Sequence, residues 1–170
     1  GIQCVQQRGT RMDAFAERAF EIITAPKTRD ALDLKLEDPR VVERYGQATQ
    51  FLTARRLVQA GVRCVTLAIG GWDTHANNFG HLRGQLPMVD RAIEALVEDL
   101  HQLGLDQDCS LVMWGEFGRT PRVNGSAGRD HWEPVMSALL AGGGLKTGQV
   151  IGSTNARGET AQDRPVTVQQ

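Results

Sequence analysis

Apolar positions in the first sixty residues recur at helical spacing. Met12, Phe15, Ala16, Ala19, Phe20 and Ile23 fall at i, i+3, i+4, i+7, i+8 and i+11, which predicts an amphipathic helix over residues 12–24, ended by Pro26. Residues 31–45 are polar and charged with scattered Leu and Val; they predict a short helix and a surface connection. The helical period returns over 47–60 through Phe51, Leu52, Leu57 and Val58, and Gly61 stands where a helix C-cap favours glycine.

The pattern then changes. Val62-Arg-Cys-Val-Thr-Leu-Ala-Ile69 is rich in β-branched residues and bounded by Gly70-Gly71, which predicts a buried strand. Residues 82–103 predict a long helix, with Leu86, Val89, Ile93, Leu96, Val97 and Leu100 on one stripe and Asp90, Glu94, Glu98 and Asp99 on the other side. Gly104 closes it, and residues 109–114 form a second predicted buried strand. Helix–strand–helix–strand with short connections predicts an α/β fold with a mainly parallel sheet flanked by helices. Residues 115–134 form a polar, Gly-rich loop of unusual length, the kind that tends to carry function. Residues 135–141 and 149–153 predict two further short strands, arranged as a hairpin.

Composition narrows the field. The 170 residues suit a single α/β domain, 1–170, and 41% of them are apolar. With 19 basic against 20 acidic residues, the charge balance favours neither nucleic acid nor a membrane surface as partner. No apolar run approaches the roughly 20 residues of a membrane helix. Cys4, Cys64 and Cys109 are scattered and lack the paired spacing of a zinc knuckle or disulfide framework; Cys64 and Cys109 fall in predicted buried strands. The sequence opens Gly-Ile-Gln, without Met or signal peptide, and closes Arg-Pro-Val-Thr-Val-Gln-Gln, so it is expected to be a C-terminal portion of a longer domain, lacking the N-terminal part.

Candidate chemistry clusters just after the predicted strands, where the loops of an open α/β sheet converge on a ligand crevice. In Gly70-Gly-Trp-Asp-Thr-His75, Asp73 and His75 share a face if the backbone is extended, ~6.6 Å apart along the chain, and can bend toward one cation. In Trp114-Gly-Glu-Phe-Gly-Arg-Thr-Pro121, Glu116 can ligate a metal and Arg119 can hold a tetrahedral oxyanion bidentately; the plainer reading is a Glu116–Arg119 ion pair. Gly128-Arg-Asp-His-Trp132 offers His131. Each cluster alone is commonplace, but three separate segments supplying carboxylate and imidazole give the donor set of zinc, manganese or iron, with calcium fitting if carboxylates dominate. His81 is a weaker candidate that could stand behind a ligand, and His101 reads as a solvated residue near a helix C-terminus. Trp72 and Trp132 flank the proposed ligands and are expected to wall the site.

These motifs, in this order and followed by Ala141-Gly-Gly-Gly144, closely resemble the bacterial domain-of-unknown-function 1501 family over about residues 40–167. That family is described as sulfatase-like and grouped with the alkaline phosphatase superfamily. The resemblance implies a metal-dependent hydrolase of phosphate or sulfate monoesters, acting on a small-molecule or glycan ester with a Ser, Thr or formylglycine nucleophile. It implies that Asp73, His75 and His131 correspond to the Asp/His/His ligands of one metal, zinc foremost, with calcium or manganese as alternatives. Glu116 stands where relatives carry Asp-His for a second metal; here the pair is Glu116-Phe117, so one ligand is missing. Arg119 becomes the implied oxyanion residue. The nucleophile and a first metal-binding Asp are implied upstream, and no cysteine heads the x-Pro-x-Arg pattern of formylglycine sulfatases. Export to the periplasm or beyond is also implied. The competing expectation is a non-catalytic relative that binds a metal, a glycan or a partner on the same fold.

Overall fold

The computed structural model describes residues 14–167, and the chain divides into two compact units between Ala68 and Ile69. Cys4, Met12 and the last three residues lie outside the described residues.

The first unit is helical. Helix α1 (14–24) is followed by α2 (Pro26–Leu32), a 3-10 turn (Leu34–Leu36), α3 (Pro39–Tyr45) and α4 (Thr49–Gln59). Pro26 and Pro39 open α2 and α3, because proline at the first helical position gives up an N–H that has no intrahelical partner there. Residues 31–45, expected to hold a short helix and a surface connection, take in the end of α2, the 3-10 turn and α3. Helix α4 packs on α2 and α3, and Ala31, Tyr45, Ala48, Phe51 and Leu52 are buried. On α1, Phe15, Phe20 and Ile23 are exposed. The end of α4 is a Schellman cap: Gly61 at φ +99 donates to the Val58 carbonyl at 2.9 Å and Val62 donates to that of Leu57 at 3.0 Å.

In the second unit, α5 (Asn78–Gln102) begins four residues before the predicted start and runs through Pro87; proline cannot donate to the Arg83 carbonyl, so the helix lacks that bond. Its buried face is Val89, Ala92, Ala95, Leu96 and Leu100. Leu86 and Val97, expected on the apolar stripe, are exposed, and Asp99, expected on the polar side, is only 4% exposed. The close-packed side thus takes in Ala92 and Ala95 beside Val89, Leu96 and Leu100.

Strand β1 (Ser110–Met113) pairs with β4 (Leu139–Gly142), β2 (Gly118–Arg119) with β3 (His131–Trp132), and β5 (Ser153–Thr154) with β6 (Ala161–Asp163). Every strand pairing among the described residues is antiparallel. The hairpin expected between 135–141 and 149–153 is replaced by β4 returning to β1, with Val112 opposite Leu140, and by β5 pairing forward to β6. Residues 62–69 carry no ladder among the described residues. Val65, Leu67 and Ile69 are half-buried while Thr66 and Ala68 are exposed, the two-residue alternation of extended backbone. Cys64 is exposed rather than buried. No helix among the described residues is long and apolar enough to cross a membrane.

Candidate metal centre

Three segments of the second unit build the site. Residues 73–75 lead into α5 through two tight three-residue turns, in which Thr74 N–H donates to the Trp72 carbonyl (2.9 Å) and His75 N–H to the Asp73 carbonyl (3.2 Å). The Thr74 hydroxyl is buried against the Asn78 side chain. The loop at 124–130 is tied to this segment by backbone bonds from Asn77 to Ser126 (3.0 Å), Asn78 to Ala127 (2.9 Å) and Arg129 to Thr74 (3.0 Å). The two backbones are so close at Gly128 that a Cβ there would lie 1.9 Å from the His75 carbonyl oxygen. The β2–β3 ladder then sets Arg119 directly opposite His131.

The result is a convergence. Asp73, His75 and His131 each offer one ligand atom, all within 4.8 Å of one another. Oδ1 of Asp73 lies 2.9 Å from Nε2 of His75 and 2.9 Å from Nε2 of His131, and the two imidazole nitrogens are 3.2 Å apart. Tetrahedral zinc with bonds of about 2.0–2.1 Å separates its ligand atoms by about 3.4 Å. An ion would therefore be accommodated if the three side chains opened by a few tenths of an ångström. Two nitrogens and one oxygen suit zinc better than calcium, which prefers six to eight oxygens. All three residues are exposed, so exchange with solvent is open.

Arg119 completes the group. Its Nη2 donates to Asp73 Oδ1 at 2.7 Å and its Nη1 to the Arg129 carbonyl at 3.2 Å. The Asp73 carboxyl is accordingly held at about 2, below its ordinary 3.8, by the bond from His131 first and that from Arg119 next. Asp130 is also held low, chiefly by His75 and then by Asn124.

Glu116 is exposed and is not among the grouped ligands, and the carboxylate that Arg119 holds is that of Asp73. Phe117 lays its ring on His131 at a centroid distance of 4.3 Å and a tilt of 38°. The aromatic contact on the cluster is thus Phe117's. Trp72 and Trp132 instead donate their indole N–H groups to the carbonyls of Ile69 (2.7 Å) and Glu159 (2.8 Å). His81 is exposed, and His101 is exposed beside Asp106 at 3.0 Å. Asp130 and Asn124 were not singled out by the sequence reading. Asp130 binds Nδ1 of His75 at 2.7 Å; its adjacency to His131 was the available signal. Asn124-Gly125 has the composition of a tight turn, and that was all its spacing could say.

A carboxylate and two imidazoles brought together by loops up to 58 positions apart have the chemistry of a candidate divalent-metal centre. The chain that carries them matches the family described as protein of unknown function (DUF1501) over residues 5–170, and it belongs to that family. No curated protein and no solved structure matches it significantly.

Proposed function

We propose that this chain supplies the metal-binding loops of a divalent-metal-dependent hydrolase of phosphate or sulfate monoesters, on an α/β scaffold of the sulfatase-like kind. The observation that carries the reading is the convergence of Asp73, His75 and His131 on one point. Asp73, His75 and His131 would hold a zinc ion there, which would supply Lewis-acid charge to an ester oxygen. Arg119, whose Nη2 and Nη1 are on Asp73 and the Arg129 carbonyl, would present an N–H edge to a tetrahedral oxyanion, which it matches bidentately, on releasing these bonds. Phe117 keeps water from one face of His131. The nearby hydroxyls are committed elsewhere: Thr74 is buried on Asn78, and Thr120 donates to the Arg122 carbonyl (2.8 Å) while accepting from the Asp130 N–H (3.1 Å). The nucleophile is therefore assigned outside these clusters. The substrate class is a small-molecule or glycan ester, and export follows from the same resemblance.

The test is turnover of an aryl phosphate and an aryl sulfate by zinc-replete full-length protein. The reading predicts that D73A or H131A lowers kcat/KM by at least about a hundredfold, the scale of losing an electrostatic group at the reacting centre. Equal activity in wild type and both variants, or none in any of them, would remove the hydrolase.

One observation favours a second reading, a non-catalytic metal-, glycan- or partner-binding member. Glu116 stands outside the cluster, and by the resemblance Phe117 takes the place of a second-site ligand. That reading predicts one zinc per chain and no turnover.

A further inference from the structure

Resting on the metal reading above, we infer that Asp130 is a positioning residue for the His75 ligand, and that Asn124 holds Asp130 in place for that task. An imidazole has two nitrogens, and when one faces a cation the other carries a proton that needs an acceptor; that acceptor sets the tautomer and the aim of the ring. In His75, Nε2 faces the cluster and Nδ1 lies 2.7 Å from Asp130 Oδ1, within the short range of charge-assisted bonds.

Asp130 is itself fixed from two sides. Its backbone is locked to Thr120, which donates its N–H to the Asp130 carbonyl at 2.9 Å and accepts from the Asp130 N–H on its hydroxyl at 3.1 Å. Its Oδ1 accepts from Nδ2 of Asn124 at 3.1 Å. The same amide nitrogen donates to the His75 carbonyl at 3.0 Å, so Asn124 grips the ligand residue and its orienting carboxylate together. On the other side, Asn124 Oδ1 accepts from the N–H groups of Ser126 and Gly128, both at 2.9 Å. All four bonding positions of the amide are then engaged. His131 is held differently, by the Phe117 ring on its face. The two imidazoles thus have different supports: His75 is aimed by a hydrogen-bond relay and His131 by stacking.

The experiment is zinc calorimetry on the full chain, together with the visible absorption of the cobalt(II) form. D130A is expected to weaken Zn²⁺ binding by about 10–100-fold, the usual cost of losing such a partner, and to alter the cobalt band shape. D130N keeps an oxygen that can accept from Nδ1–H, and should fall between wild type and D130A in affinity while recovering most of the cobalt spectrum. N124A should weaken binding by a smaller factor than D130A. D130N matching wild type, D130N matching D130A, or D130A binding with wild-type affinity and spectrum would each overturn the assignment. Wild-type protein that takes up no Zn²⁺ would bring down the metal reading and this assignment with it. Binding that ignores D130A would bring down the assignment alone.

Discussion

Oδ1 of Asp73 accepts from His131 and Arg119, Nε2 of His75 lies 2.9 Å from it, and all three groups favour the charged carboxylate. The sign of the resulting pH dependence follows: a carboxyl held at about 2 against an ordinary 3.8 adds stability that is complete above 3.8 and is lost as pH falls through 2. An NMR titration of the Asp73 side-chain carbon in metal-free protein should therefore show a midpoint near 2. In H131A, which removes the largest cause, the midpoint should climb toward 3.8. A wild-type midpoint near 3.8 would show that the three groups do not meet on this oxygen. Residue chemistry also tells which candidates sequence could find. Three of the four proposed ligands meet because their motifs abut segments tied backbone to backbone. Glu116 does not, because the β2–β3 register sets Arg119, three residues further on, against His131. Register is a property of pairing, and composition does not reveal it. Gly128 tests the tie itself. Its Cβ would strike the His75 backbone, so G128A should cost about 1–3 kcal/mol and weaken zinc binding, read by thermal unfolding and calorimetry. Unchanged stability and affinity would mean that the loops do not approach as closely as described.

Among the elements, the helices were the most legible and the strands the least. The 3.6-residue period located α4 and α5 to within a few residues, and Gly61 capped α4 as expected, because these signals are local. Strand pairing is set by partners distant in sequence, so residues 62–69 announced an extended, half-buried backbone but not its neighbour, and β4 was paired with the wrong segment. The first unit contains a polar feature that periodicity did not suggest. Glu37 Oε2 lies 2.8 Å from Arg55 and 2.9 Å from Arg56, with all three side chains largely buried. Burial pushes the Glu37 carboxyl up, but the bond from Arg56 and the charge of Arg55 outweigh it and hold it below its ordinary value. Arg56 also donates to the carbonyls of Asp30 (2.6 Å) and Ala31 (3.0 Å) in the last turn of α2, where a cation is favoured. Removing one member of a buried ionic group leaves the others uncompensated, so E37A should destabilise the first unit by about 3–5 kcal/mol. Denaturant unfolding reports it; a loss below about 1 kcal/mol would mean that the carboxylate is solvated.

For the whole molecule, family membership is established over residues 5–170, while the parallel α/β sheet and the hydrolase activity are proposals that rest on resemblance and on the site. A ligand that binds only the native state raises stability by about 2.7 kcal/mol at a hundredfold excess over its Kd. Stripping the zinc-loaded chain with a chelator should therefore lower Tm by several degrees, and by less in H131A, which keeps fewer ligands. An indifferent wild type would favour the view that these histidines and acids are structural. The account depends most on the identity of the atoms around the ion, and zinc X-ray absorption on the loaded protein reads it directly. A nitrogen and oxygen shell at about 2.0–2.1 Å with scattering from two imidazoles, reduced to one in H131A, is the predicted result. An ion without imidazole scattering, or no stoichiometric zinc at all, would contradict it.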